Sequence, residues 1–404
     1  MRSDDGSCLS RRHLLQASAV LGGFNLIGLG GCATATRAPA YLPVIAPVRA
    51  TADRIFDITV CLRPFRAQGP RLEIERLGNT LVVHNYGHGG SGWSLSWGSS
   101  TQAVRMAMAA SPREIAVIGC GALGLTSAIL AQSAGAQVTI YARDRMPDTR
   151  SARATGTWSP DSRIALASAV AAGFPALWED MARTSFKHYR RYLGLPGNPV
   201  EWTDRYILSD DPPLHAEPLA EISRTAPPAS LDFAEYGERI RDLTPRSEVM
   251  PPGSTPFPTD HVRRAESLTF NVADYGHTLM NDFLIAGGKI KRMEFHAPAE
   301  LIRLKEKVVI NCPGYGARAL WKDESITPVR GQIAWLIPQP EVNYGLYYRR
   351  VGLLARRDGI VVQSIAGDME GYGDDNETPD KAEAERTVGV MAELYSRMNA
   401  RGAV

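Results

Sequence analysis

Three glycines at fixed offsets, Gly119, Gly121 and Gly124, stand between a short apolar run and a helical stretch. The run is Ile115-Ala116-Val117-Ile118, and the helical stretch, Leu123 to Ala134, is rich in small residues. A second apolar run, Gln137 to Tyr141, follows at once. Strand, glycine turn, helix and strand in that order predict a βαβ unit with a parallel sheet. The glycines have separate physical tasks. One allows a tight turn, one lets backbone approach a pyrophosphate, and one brings helix and strand close together. The helix start, with Ala122 and Leu123, then offers unpaired N–H groups and a positive dipole end to an anion. An α/β fold with a dinucleotide site is the expectation.

The residue after the second strand usually selects the adenosine ribose. Here Tyr141-Ala142 is followed by Arg143 and then Asp144. Asp144 within reach of a ribose and Arg143 facing a 2′-phosphate, which would indicate NADP, are both open at this point.

A second glycine-rich loop precedes the first. His84 to Gly98 contains Gly87, Gly89, Gly90 and Gly92 and runs into apolar residues at helical spacing: Trp93, Trp97, Val104 and Met108. Its N–H groups suit negative charge. His84 and His88 have no carboxylate or cysteine companion at ligand spacing, so no metal site is expected.

Elsewhere, strands are expected at Phe56–Val60, Arg71–Leu77, Leu81–Val83, Lys307–Asn311 and Gly331–Leu336, with alternating strand and turn over Tyr344–Ile365. Helices are expected over much of Ile164–Leu195, at Tyr275–Ala286 and at Lys381–Met398. A net charge of +2 over 404 residues leaves no electrostatic footprint for a polyanion, so nucleic acid is not an expected partner. Ser10-Arg11-Arg12-His13-Leu14-Leu15 is a twin-arginine pattern ahead of a mildly apolar stretch, and Leu29-Gly30-Gly31-Cys32 resembles a lipobox. Export by the twin-arginine route is expected, with Cys32 as a lipid anchor and the body outside the bilayer. Cys61, Cys120 and Cys312 read as small buried apolar residues, not disulfides. An export route that carries folded proteins is compatible with that.

Several motifs together resemble the D-amino-acid oxidase and D-aspartate oxidase family of flavoproteins. They are the Ile115–Gly124 fingerprint, Ala154-Thr155-Gly156-Thr157-Trp158-Ser159-Pro160, Asn311-Cys312-Pro313-Gly314, Pro328-Val329-Arg330-Gly331-Gln332, Leu62-Arg63-Pro64-Phe65-Arg66, and the His84–Gly98 loop. The likeness covers roughly residues 53–404. In that family the Arg63-type strand and the histidine–glycine loop close the chain. Here they precede the fingerprint, so the resemblance implies a circular permutation, which is tolerated where termini lie close together.

The resemblance implies a Rossmann-like FAD-binding domain plus a mixed-sheet substrate domain. The implied division is 1–32 export signal, 33–52 linker, 53–90 substrate-domain strands, 91–163 first FAD-binding segment, 164–267 mixed helical and substrate-domain segment, 268–335 second FAD-binding segment, and 336–404 substrate domain. It implies oxidation of a D-amino acid to a 2-oxo acid, ammonia and hydrogen peroxide, with oxygen as acceptor. Arg63 would grip the substrate carboxylate, and the Gly90 carbonyl would accept from the amine. Gly89, Ser91, Gly92, Trp93 and Ser94 would serve the flavin pyrimidine edge. Gly119, Gly121, Ala122, Leu123 and Gly124 would hold pyrophosphate. Thr155, Gly156, Trp158 and Gly314 would line the cofactor.

Lid tyrosines of the family have no clear counterpart. Tyr344, Tyr347 and Tyr348 are the candidates, and Gly352 falls where one tyrosine is expected. Arg349 and Arg350 are a solvated pair or an attraction for an acidic side chain. A glycine or amine oxidase, a dehydrogenase with another acceptor, an NADP-binding reductase, and a non-catalytic binding lipoprotein are the competing readings.

Overall fold

Two sheets, one parallel in character and one mostly antiparallel, share the chain between them. The computed structural model describes residues 45–211, 231–367 and 369–401, which form one compact unit. The export signal and lipobox lie outside the described residues. No described helix is long and apolar enough to cross a membrane.

Strand β1 (Ile55–Arg66) opens the described fold, followed by β2 (Ile74–Leu77), β3 (Thr80–His84) and helix α1 (Gly92–Met108). Then come β4 (Glu114–Ile118), α2 (Ala122–Ser133), β5 (Gln137–Ala142), α3 (Phe174–Tyr189) and β6 (Val200–Ser209). The remainder is β7 (Glu248–Val249), β8 (His261–Phe270), α4 (Val272–Ile285), β9 (Lys289–Arg292), β10 (Val308–Asn311), α5 (Ala317–Leu320), β11 (Ile326–Leu336), β12 (Gly345–Tyr348), β13 (Val351–Arg356), β14 (Gly359–Ser364) and α6 (Lys381–Arg401).

The six-stranded sheet has the order β2-β3-β10-β4-β5-β9 and is parallel except where β2 meets β3. Its central strands are apolar on both faces, as a sheet covered on both sides requires. Ile115 and Val117 of β4 join the core under the helices, while Ala116 and Ile118 pack with Val82, Val309 and Leu301 on the other face. The period of two is the pleat itself. The expected βαβ unit is β4-α2-β5.

The eight-stranded sheet has the order β1-β11-β14-β13-β12-β6-β8-β7. It is antiparallel apart from β12 beside β6. One face packs on α6 through Leu346, Tyr348, Leu353, Val388, Met391 and Leu394.

Two expected segment assignments need correction. Residues 53–90 do not all join one sheet. β1 enters the eight-stranded sheet, whereas β2 and β3 extend the parallel one through β10. Residues 268–335 divide likewise, since β10 lies in the parallel sheet and β11 pairs with β1. Within the mostly helical stretch expected from Ile164 to Leu195, α3 begins at Phe174, where Pro175 supplies a favourable first-turn residue. The sequence pattern does not predict strands β6 and β8, because charged residues interrupt their apolar alternation.

Candidate active site

Both glycine loops open onto one cavity of about 430 Å³. It lies between the α2 end of the parallel sheet and the inner face of the eight-stranded sheet. Its lining includes Arg63, Gly89, Gly90, Gly92, Trp93, Gly121, Ala122, Leu123, Thr155, Gly156, Gly314 and Tyr347. Among the described residues, five that line it are arginine (Arg63, Arg150, Arg153, Arg163 and Arg205) and none is aspartate or glutamate. Glu377, outside the wall, balances Arg150 and Arg153; the lining still suits anionic ligands and leaves the described wall without a carboxylate base.

The fingerprint turn has the close approach that its glycines predict. Gly119 sits at φ +97°, and a Cβ there would meet the Cys312 carbonyl at 2.4 Å. A Cβ on Gly124 would fall 2.0 Å from the Gly119 carbonyl. Gly119 and Gly124 therefore shape the turn from behind, and Gly121, Ala122 and Leu123 present it to the cavity. Helix α2 starts at Gly121 without a side-chain cap. Ser151 Oγ accepts one of its leading N–H groups, that of Ala122, at 3.1 Å. This cradle fits a pyrophosphate.

The second loop is stitched between three segments. Gly89 N donates to Pro64 O at 2.9 Å, and Gly90 N donates to Ser162 O at 3.0 Å. Asn85 Oδ1 accepts from Ser99 Oγ at 2.7 Å, and its amide nitrogen reaches Ser127 of α2 at 3.3 Å. Helix α1 begins after Ser91, which makes no side-chain cap, so its leading N–H groups have no partner within the helix. Ser91 Oγ donates to Ser162 O, and Ser94 Oγ accepts from Ser159 N at 2.8 Å. These two hydroxyls hold the loop and do not line the cavity. Trp93 Nε1 donates to Ser151 O at 2.8 Å and ties the two anion sites together.

His88 is fully buried, with Nε2 2.8 Å from Ser99 Oγ and Nδ1 unpartnered. Burial pushes its pKa down to about 3, so it is neutral at physiological pH. His84 meets Glu75 at 3.0 Å and Asn311 at 3.1 Å. Both histidines are structural partners, and no metal-holding cluster occurs among the described residues.

Arg63 lies over Gly331, where a Cβ would come within 2.4 Å of both terminal guanidinium nitrogens. Glycine at 331 is therefore what lets the side chain lie flat on β11. One nitrogen donates to the Arg330 carbonyl at 3.3 Å. Arg66 instead bonds Ser325 Oγ and the Gly69 carbonyl, holding the strand end. Thr155 and Gly156 line the cavity, while Trp158 is buried against Phe186.

The two tyrosines part company. Tyr347 lines the cavity. Tyr348, its neighbour in β12, faces the opposite side of the sheet, where its hydroxyl donates to Asp210 at 2.8 Å and Arg397 donates to it. Alternation along a strand dictates the difference, and it corrects the pairing of the two as site residues. Tyr344 is likewise turned toward α6, against Tyr395. Arg349 is paired with Asp210 and Glu393 on that same side, and neither it nor Arg350 lines the cavity. Tyr348→Phe should leave kcat/KM within about twofold and lower stability by about 1 kcal/mol through the lost hydrogen bonds; steady-state assays and thermal melts check this.

Also outside the cavity wall are Arg143 and Asp144. Arg143 is bound by Asp144 at 2.8 Å and Glu294 at 3.1 Å. A cation already balanced by two carboxylates is a poor receptor for a 2′-phosphate, which disfavours NADP. Cys61, beside Arg63 on β1, lines the cavity as a free thiol whose pKa burial pushes up. Sequence reasoning missed Arg205, which lines the far wall. Its signal was a lone arginine flanked by Asp204 and Tyr206, unremarkable without the fold.

A parallel-sheet dinucleotide cradle joined to a second, arginine-bearing sheet defines a dinucleotide-binding oxidoreductase. Residues 114–403 match the family described as DAO, FAD dependent oxidoreductase, and the chain belongs to that family. Its cofactor is FAD. The chain is 27% identical to D-amino-acid oxidase of Streptomyces coelicolor over 226 residues, 54% of this chain and 58% of that protein. It is 26% identical to D-amino-acid oxidase of Dictyostelium discoideum over 219 residues, 54% and 55% respectively. The chain thus spans little more than half the length of these curated relatives. The solved structure of L-amino acid deaminase from Proteus vulgaris aligns at TM-score 0.40 and 12% identity, over 63% of this chain and 61% of that one.

Proposed function

We propose that the protein oxidises D-amino acids to imino acids, which water hydrolyses to 2-oxo acids and ammonia, with oxygen as the final electron acceptor. The observation that carries this reading is the convergence of Arg63 and both glycine loops on one cavity whose described wall bears no carboxylate. FAD, when bound, supplies the two-electron acceptor, which oxygen regenerates with release of hydrogen peroxide. Arg63 grips the substrate carboxylate through its planar fork. The Gly90 carbonyl accepts from the amine, and Gly92 and Trp93 offer N–H groups to the cofactor ring edge. Thr155 and Gly156 close the cofactor's other side.

The chain's contribution is orientation and charge. No described carboxylate lines the wall, and His88 stays neutral above about pH 3. The substrate amine therefore enters neutral, and the surrounding arginines favour loss of its proton. It follows that kcat/KM rises with pH toward the amine's own pKa. A histidine limb between pH 5 and 8 should be absent from the pH profile.

The family match starts at residue 114. Residues ahead of it supply β1 beside β11 and β3 beside β10, which supports a circularly permuted order for the chain. We also propose export by the twin-arginine route with a lipid on Cys32. Fractionation of wild type and Cys32→Ser tests the anchor: the variant should leave the membrane fraction. The activity is tested by oxygen uptake and peroxide release with paired D- and L-amino acids. Peroxide from D-enantiomers supports an oxidase. Flavin reduction without oxygen uptake would replace it with a dehydrogenase.

A further inference from the structure

Arg63 sits where the eight-stranded sheet narrows to two strands. β1 and β11 stay paired from Cys61 and Gly331 to Arg66 and Ile326, whereas β14 accompanies β11 only at Ala334, Trp335 and Leu336. A two-stranded ribbon is marginally stable by itself, so the stretch that carries Arg63 needs support from elsewhere.

The segment from Gly371 to Asp380, between β14 and α6, lies along the open side of β11 there. Val329, the cross-strand partner of Arg63, bridges to Tyr372. Arg330 N donates to the Gly371 carbonyl at 2.8 Å, and Gly373 N donates to the Pro328 carbonyl at 2.9 Å. Tyr372 packs on Phe65 of β1, with ring centroids 5.7 Å apart. The largely buried Arg330 guanidinium gathers the rest of the segment. It donates to the Asn376 carbonyl at 3.0 Å, to the Thr378 carbonyl at 3.3 Å and to Glu383 at 3.2 Å. Gln332 closes the seam on Asp380, accepting from its N–H at 2.6 Å and donating to its carbonyl at 2.8 Å.

The Arg330 carbonyl joins this seam to the site. It accepts from Arg63 Nη1 at 3.3 Å. A Cβ on Gly371 would fall 2.0 Å from the same oxygen, and Gly371 has φ +72°. Only a residue without a side chain lets the segment close on β11 and leave that carbonyl in place. Gly373 has φ +79° and nothing within 4 Å of an added Cβ. One segment therefore holds two glycines of like backbone, and only Gly371 abuts the oxygen that anchors Arg63.

We propose that Arg330 and Gly371 are positioning residues for the substrate carboxylate. The segment they fasten fixes the Arg330 carbonyl, and that carbonyl fixes the angle of the Arg63 guanidinium. This rests on the reading of Arg63 above. Bidentate capture of a carboxylate depends on that angle, and a misplacement of about 1 Å can cost about 10²-fold.

Butyrate, a carboxylate without an amine, reads Arg63 without turnover when it is titrated into the FAD-loaded protein and the flavin spectrum is followed. Gly371→Ala should weaken butyrate binding at least about tenfold with flavin content unchanged. KM for D-alanine should rise by a similar factor, with a smaller fall in kcat. Gly373→Ala should bind butyrate within about twofold of wild type. Arg330→Lys keeps the charge but cannot span two carbonyls and Glu383 together, so it should weaken butyrate at least about threefold. In an Arg63→Lys background, Gly371→Ala should add less than about twofold, because the fork it would misalign is gone.

Equal butyrate affinity in Gly371→Ala and Gly373→Ala, or an undiminished effect of Gly371→Ala beside Arg63→Lys, would overturn the inference. Should Gly371→Ala not fold, wild-type butyrate affinity in Arg330→Lys would overturn it instead. Loss of butyrate binding in Arg63→Leu would leave the parent reading standing in either case. Butyrate binding unchanged in Arg63→Leu would overturn both.

Discussion

Arg63→Leu should lower kcat/KM for D-amino acids by about 10²–10³-fold, while the protein stays folded and yellow. Removing one partner of a buried, hydrogen-bonded charge pair costs about 2–5 kcal/mol, and each 1.4 kcal/mol is a factor of ten. The loss should fall on both KM and kcat, because the carboxylate contact also fixes where Cα sits. Among the described residues the Arg63 guanidinium donates to the Arg330 carbonyl and lies on the bare backbone of Gly331. Little of the fold depends on it, so flavin content and melting temperature should change little. Arg63→Lys should recover only a small fraction, since an ammonium cannot reproduce the bidentate fork. A variant that kept wild-type turnover would displace Arg63 from the substrate.

Gly124→Val should yield protein largely without FAD. The first added carbon would fall 2.0 Å from the Gly119 carbonyl, a backbone atom with no room to yield. Either the turn opens or α2 shifts, and both spoil the pyrophosphate cradle. The expected destabilisation is about 3–5 kcal/mol, at the upper end for single substitutions, or a fall in Tm on the order of 10 °C. Gly135→Ala, at the other end of the same helix, is the control. Gly135 has φ +95° but nothing within 4 Å of its added carbon. It should cost about 1–2 kcal/mol from backbone conformation alone and retain flavin. Flavin absorbance per chain, read beside thermal melts, separates the two effects. Full flavin occupancy in Gly124→Val would place the pyrophosphate elsewhere.

The β4-α2-β5 unit was legible because its glycines stand where the local turn demands them, Gly119 at φ +97° and Gly124 against the Gly119 carbonyl. Arg63 was legible through its motif. The far wall of the cavity was not. β6 reads Val200-Glu201-Trp202-Thr203-Asp204-Arg205-Tyr206-Ile207, and the charges at its centre break the alternation by which a strand is recognised. A part-buried Arg205 that no carboxylate among the described residues pairs with departs from the ordinary pattern, and such departures concentrate at functional sites. The two tyrosines of β12 failed for a different reason. Which of two adjacent strand residues faces the cavity depends on register, and register is set by neighbours remote in sequence, here β6 and β13. The same holds for β2 and β3. Their alternation marked them as strands, but only pairing with β10 determines which sheet they join.

The most direct test of the account is anaerobic mixing of the purified yellow protein with paired D- and L-amino acids, with flavin absorbance followed in time. Bleaching by D-enantiomers, little or none by their L-counterparts, and loss of the fast phase in Arg63→Leu are the predicted results. Bleaching by neither enantiomer, or by the L-form alone, would contradict it.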